Sequence, residues 1–439
     1  MAYPDPASKS AALAARARRV LPDGGSRSSI RMKPYTLYVD EARGAEVVDV
    51  DGNRYVDFVN NYTSLIHGHA YGPVVEAVAR QAARGSAYSF ANASEIALAE
   101  LLCDRVPGFE RIRFMNSGSE AVMNMIKAAR AFTGRPKIAK CEGFYHGSYD
   151  FAEVSLGNGP GDRDGEDPKA TGYCAGTPES VLGEVVVLPF NEPQHSQRLL
   201  QAHADEIACV MIDTAPMRMG ANLVRPDYVR TLAETAQRTG MLFVLDEVVS
   251  FRLGHGGSQG VLGVRPDLTA LGKIIGGGLP VGAVAGRADV MDVFEELDGH
   301  GVRVPHGGTF NANPLTMVAG HAAMADMTPE AFERLNGLGE QAREALRAVF
   351  RDSGIPGQVS GTGSLFKLHL HEGPLTTLQD LLAAPGVPSA DALRVALVDR
   401  GYFLGSGCLG CLSTATTTAH VEGLCEALRS VLPGVARAA

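Results

Sequence analysis

The chain has 439 residues, 45% of them apolar and 20% charged, and a net charge of −9. That length exceeds the ~250–300 residues that one hydrophobic core sustains, so two domains are expected. The acidic balance, with no lysine/arginine block, argues against nucleic acid or an anionic membrane as partner, and no run reaches the ~18–20 apolar residues that span a bilayer.

The opening MAYPDPASKSAALAARARRVLPDGG holds no continuous apolar run and reads as no signal peptide; AALAARARRVL predicts a short helix. Residues 37–58 predict a β-meander with an Asp-Gly turn. RIRFM (111–115) predicts a strand leading into a helix over 119–133. Further strands are predicted at KIAKC (137–141), EVVVLPF (184–190), IACVMID (207–213) and MLFVLDE (241–247), with a helix over 227–240 stopped by Gly240. Such alternation implies α/β architecture, a mainly parallel sheet flanked by helices, with ligands gathered at the carboxyl ends of the strands. Residues 156–180, rich in Gly, Asp and Pro, predict a long loop of the kind that is functional or disordered. After Asn311 the pattern turns to long helices and short strands. The expected organisation is an N-terminal segment over 1–60 that joins a small domain, a large α/β domain over 61–310, and a small α+β domain over 311–439. Seven scattered cysteines suit a reducing cytoplasm better than a disulfide framework, and Cys408 with Cys411 has no second pair to make a zinc site.

Four segments carry chemistry. In LTALGKIIGGGLPVGA (268–283), Lys273 stands among small and apolar residues: either it snorkels from a strand end, or burial lowers its pKa and frees the amine as nucleophile and base. In FMNSGSEA (114–121), Ser117, Gly118 and Ser119 open a helix; the serines cap it, or they and the free N–H groups hold a phosphate. In VLDEVVS (244–250), Asp246 follows four apolar residues and is either an ordinary ion-pair partner or the acid that keeps a ring nitrogen protonated. FYHG (144–147) brings Tyr145 and His146 to a strand end, where an aromatic ring packs or stacks on a planar cofactor. Thr309, in HGGTFNANPLTMVAG (306–320), fills a turn or donates to a phosphate. The G-x-G-x-x-G match GSGCLG (405–410) precedes a poor helix opening and carries no dinucleotide site; Lys273 lacks the Ser/Thr of a P-loop, and His67 and His69 have no metal-ligand spacing. A phosphate cradle, a stacking aromatic, an acid and a lysine are the parts that bind pyridoxal 5′-phosphate, whose aldehyde forms a Schiff base with an amine.

NSGSEA, YHG, LDEV, DLTALGKIIGGGLPVGA and GTFNANP, in that order, resemble the class III aminotransferases of fold type I, over about residues 21–432. Within the family the chain looks like the branch containing glutamate-1-semialdehyde aminomutases and β-amino-acid transaminases. It implies that Lys273 bonds the cofactor, Asp246 pairs with its ring nitrogen, Ser117, Gly118 and Ser119 bind its phosphate, and Tyr145 and Val248 lie on its two faces, with His146 alongside. Thr309 would reach the phosphate of a neighbouring subunit in a homodimer with shared active sites. Arg27 would hold the substrate carboxylate, with Arg31 as rival, and Tyr62 would lie near the substrate. Loop 156–180 falls where aminomutases carry a mobile gate. One departure stands out: relatives carry Glu-Pro after the IACVMI-type strand, whereas MIDTAPMRMG has Ala215 before Pro216, Asp213 two residues earlier and Arg218 beyond. The implied activity is amino transfer between a small amino acid, of β or ω type, and a keto acid or aldehyde. Intramolecular aminomutation is the alternative, followed by a racemase or a binding protein of the same fold.

Overall fold

The computed structural model describes residues 3–159, 161–296, 299, 301–382 and 390–437. The chain divides into two compact units, one drawn from residues 1–72, 334–372 and 384–439 and the other from 73–333 and 373–383.

A seven-stranded sheet forms the centre of the second unit. Its strands are β1 Arg111–Met115, β2 Lys137–Cys141, β3 Val185–Leu188, β4 Ile207–Ile212, β5 Leu242–Asp246, β6 Leu268–Gly272 and β7 Gly282–Gly286. They lie in the order β1-β7-β6-β5-β4-β2-β3, parallel throughout except for β7, which runs against both its neighbours. IACVMI, LFVLD and LTALG are buried at every position, as strands covered on both faces must be. Helix α1 Ala93–Arg105 precedes the sheet; α2 Gly118–Thr133 follows β1, α3 Pro226–Thr239 lies between β4 and β5, and α4 Pro314–Ala325 comes after β7. Alternation along the strands sorts the two cores. Val122, Met125 and Ile126 of α2 join Ile138, Met211 and Val244, while Val229 and Leu232 of α3 join Ala139, Ile212 and Leu245. Each such large side chain contributes about 1.5–3 kcal/mol by leaving water.

The strands expected at 111–115 and 137–141 appear with those bounds, and Gly240 ends α3 in the left-handed conformation (φ 69°). Strand β7, GAVAG, was not legible: glycine and alanine are poor strand formers. Its glycine serves close packing, since a Cβ at Gly282 would lie 2.0 Å from the Ser117 carbonyl oxygen. Within 156–180 the chain makes a small hairpin, Arg163–Asp164 against Asp167–Pro168.

The first unit joins the two ends of the sequence, as the fold class implies. Its meander pairs Val39–Arg43, Glu46–Asp49 and Arg54–Asp57 antiparallel, and Tyr402–Phe403 adds to Arg54–Asp57 as a parallel partner. Asp49 organises the Asp-Gly turn by accepting from the N–H groups of Asp51 (2.9 Å) and Asn53 (2.8 Å). A second sheet pairs Gln358–Ser360, Leu365–His369 and Leu409–Cys411. The decoy GSGCLG holds a 3-10 turn, Ser406–Cys408, that leads directly into the strand Leu409–Cys411 and not into a helix.

Candidate active site

Three parallel strands end side by side. Asp213 follows β4, Asp246 is the last residue of β5, and Lys273 follows β6. Asp246 is buried and accepts two hydrogen bonds, from Val248 N–H to Oδ1 (3.0 Å) and from His146 Nδ1 to Oδ2 (2.8 Å). A carboxylate only accepts, so the His146 proton sits on Nδ1. Burial draws the His146 pKa down and the bond to Asp246 opposes it. Its Nε2 is buried without a hydrogen-bond partner, a group that a bound ligand or water would be expected to satisfy.

Lys273 is half-buried and not enclosed as its apolar neighbours suggest. It lies past the strand's last residue, in a left-handed turn (φ 49°) beyond the two-sided cover that Leu268–Gly272 receive. For a residue with a Cβ, that conformation costs roughly 1–2 kcal/mol.

The capping role open to the serines is seen, and it leaves room for the other. Ser117 is the N-cap of α2, its Oγ accepting from Glu120 N–H (3.1 Å), and Ser119 Oγ accepts from Ser148 N–H (3.1 Å). Each hydroxyl thereby gives up a lone pair and keeps its proton for an anion at the positive end of a 16-residue helix. Gly118 is required by Val248: a Cβ there would meet both Val248 methyls at 2.9 Å. A Cβ on Gly272 would also approach Val248, at 3.3 Å, so the valine is wedged between the start of α2 and the end of β6. Tyr145 stands half exposed after β2. Gly147, which was not singled out, belongs to the same construction, because a Cβ there would lie 2.6 Å from Ser119 Oγ. Its only signal in the sequence was its place after Tyr145-His146.

The structure brings together Asp246, His146, Val248 and Gly118, with Ser117 and Ser119 on the same helix start. Thr309 is exposed, on a segment tied to the residue before Ser117 by the bond from Asn116 Nδ2 to Asn311 Oδ1 (2.7 Å). Arg27 and Tyr62 belong to the first unit. Arg27 donates to Asn61 Oδ1 (2.7 Å) and its guanidinium lies 5.7 Å from the Tyr62 ring centre, while Arg31 is paired with Asp23. Tyr62 sits within four consecutive left-handed residues, Asn60 to Thr63. Asp57 steadies this turn through the N–H groups of Val59 (2.7 Å) and Asn60 (3.1 Å).

A buried acid at a parallel strand end, a lysine on the next strand and a glycine-opened helix N-terminus define the fold type I pyridoxal-phosphate enzymes, the class to which this fold belongs. The chain matches the class III aminotransferase family over residues 28–390 and belongs to it. It is 50% identical to an omega-transaminase from Sphaerobacter thermophilus of known structure, with a TM-score of 0.96 and 99% of each chain covered. It is 37% identical over 369 residues to the beta-phenylalanine transaminase of Variovorax paradoxus, covering 84% of this chain and 80% of that one. Identity to the glutamate-1-semialdehyde 2,1-aminomutase of Methanothermobacter thermautotrophicus is 34% over 430 residues, 97% and 99% of the two chains.

Proposed function

We propose that the chain is a pyridoxal-phosphate-dependent transaminase that takes the amino group of a small β- or ω-amino acid and delivers it to a keto acid or aldehyde. The observation that carries this reading is Lys273 and Asp246 on adjacent strand ends, with Val248 wedged against Gly118 of the phosphate-type helix start. The unpartnered His146 Nε2 and the glycine-lined cradle fit such a cofactor. Bound there, pyridoxal phosphate supplies an aldehyde that couples to a primary amine and a ring that draws electrons from the neighbouring carbon. Asp246, aligned by His146, holds the proton on the ring nitrogen. Ser117, Ser119 and the first N–H groups of α2 bind the phosphate, and Tyr145 and Val248 flank the ring. Lys273 would supply the primary amine for the aldehyde and would serve as general base toward the proton on the substrate carbon.

Arg27 binds the substrate carboxylate, with Tyr62 beside it. Arg27 has a neutral amide as partner whereas Arg31 is neutralised by Asp23. The active form is a homodimer in which Thr309 serves the phosphate of the partner subunit, a reading supported by the exposure of Phe90 (88%) and Phe310 (59%) on segments linked by the bond from Asn92 to Ala312. Seven scattered cysteines fit a reducing cytoplasm.

Lys273→Ala is expected to abolish the covalent cofactor absorbance and lower turnover by about 10⁴-fold or more; full turnover in that variant would overturn the reading. The second reading, intramolecular aminomutation, is favoured by the end-to-end match to an aminomutase. Product formed from one substrate with no keto acid added would establish it in place of two-partner transfer.

A further inference from the structure

The end of β4 holds a second acid beside Asp246. Parallel pairing aligns Ile212 with Leu245, so the next residues, Asp213 and Asp246, stand side by side at the carboxyl ends. Both are buried. Asp213 is also fixed in place: the following residue, Thr214, is buried and donates to Ser258 Oγ at 2.6 Å. Two neighbouring buried carboxyl groups do not both ionise without a cation between them. The donors decide which one carries the charge. Asp246 receives Val248 N–H and His146, whereas among the described residues Asp213 receives only Ala215 N–H (2.9 Å) on Oδ1. The groups acting on Asp213 are Asp246 and Glu247, which oppose its ionisation, and Lys273, which favours it. Burial first, then Asp246, push its pKa up to about 8.

Strand order says which part of the cofactor this acid meets. Across the sheet come the phosphate-type helix start after β1, then, beyond β7, Lys273 just after β6, Asp246 at the end of β5 and Asp213 just after β4. In pyridoxal phosphate the ring nitrogen lies opposite the aldehyde carbon, and the phosphate arm and the phenolic oxygen flank that carbon on either side. With the nitrogen at Asp246 and the phosphate toward β1, the phenolic oxygen falls on the β4 side. We propose that Asp213 is a further cofactor-contacting residue, a neutral acid that donates a hydrogen bond to the phenolic oxygen. A carboxylate at that position would repel the oxygen, which is anionic when the ring nitrogen is protonated. This rests on the roles given above to Lys273 and Asp246, and it assigns a use to the altered MIDTAP segment.

The test uses the full-length protein stripped of cofactor and titrated with pyridoxal phosphate. Binding is read as a dissociation constant, and the visible band is followed against pH. Asp213→Asn keeps a neutral donor; it is expected to bind within about threefold of the unaltered protein and to move the titration midpoint by less than about half a pH unit. Asp213→Ala is expected to weaken binding by about tenfold. A midpoint displaced by about one unit or more in Asp213→Asn would mean a charged carboxylate and overturn the proposal. So would about tenfold weaker binding in that variant, or unaltered binding in Asp213→Ala. Lys273→Ala is run alongside: if its covalent band persists, the underlying reading fails irrespective of Asp213.

Discussion

Two lysines lie in apolar stretches of the central sheet, and composition alone does not separate them. Lys273 drew attention for its neighbours, yet Lys140 in KIAKC is the more deeply buried, with no exposed surface and Nζ donating to the Val154 carbonyl oxygen at 2.6 Å. Position distinguishes them: Lys140 lies within β2, whereas Lys273 follows the end of β6 next to the strand that ends on Asp246. Burial lowers the Lys140 pKa to about 7, with Arg218 adding to the effect. The unfolded chain holds that proton up to about pH 10.5 while the folded chain releases it near 7, so this group costs stability at and below neutral pH and ceases to do so as pH rises toward 10.5. Lys140→Met removes a penalty of roughly 4 kcal/mol at pH 7, offset by about 1 kcal/mol for the lost hydrogen bond. Thermal melts should therefore show a higher Tm for the variant at pH 7 and a gap that narrows by about pH 10; a gap that widens with pH would contradict the assignment.

At the level of elements, the alternation of buried runs with amphipathic helices made the parallel sheet legible, because hydrophobic period survives without knowledge of neighbours. The edge of β1 that β7 covers was not legible, nor was the hairpin in 156–180, whose order comes from charge pairs distant in sequence. Arg163 of the hairpin donates to Glu142 Oε1 at 2.6 Å, and Glu142 is almost fully buried, its pKa raised by burial and lowered in turn by Arg163. On the other arm, Asp167 meets His195 (2.6 Å) and Arg198 (2.5 Å) at the surface. The two contacts should differ in weight. Arg163→Ala strands a buried carboxylate, a change of about 3 kcal/mol, and should speed limited proteolysis within 156–180 by tenfold or more. Arg198→Ala breaks an exposed pair worth about 0–1 kcal/mol and should leave the cleavage rate nearly unchanged. Equal effects from both would show that the hairpin is not clipped at Glu142.

For the molecule as a whole, the proposed cofactor residues were easy to single out because Lys273, Asp246 and Ser117–Ser119 occur in continuous motifs at element ends. The residues proposed for the substrate were harder to single out, since the pairing of Arg27 with Asn61 and Tyr62 uses a left-handed turn at 60–63 that has no glycine to announce it. The proposed homodimer likewise rests on exposure more than on sequence pattern. Phe90, Ile96 and Phe310 are large apolar side chains left in water in the single chain, the usual mark of a contact surface. On the proposed homodimer, Phe90→Asp combined with Phe310→Asp should sediment as a monomer where the unaltered chain sediments as a dimer, and should retain cofactor less well; a double variant that stays dimeric would place the subunit contact elsewhere.

The meander near the start of the chain takes its last partner from Tyr402–Phe403. On the ribosome, Arg54–Asp57 emerges several hundred residues ahead of that partner, and at ~5–20 residues per second the interval is tens of seconds. Throughout it one flank of a finished hairpin stays unpaired, open to any other extended segment in the crowded cell. Products stalled before Tyr402–Phe403 should thus be the sticky ones, and chaperone demand should peak before that strand is made and not after.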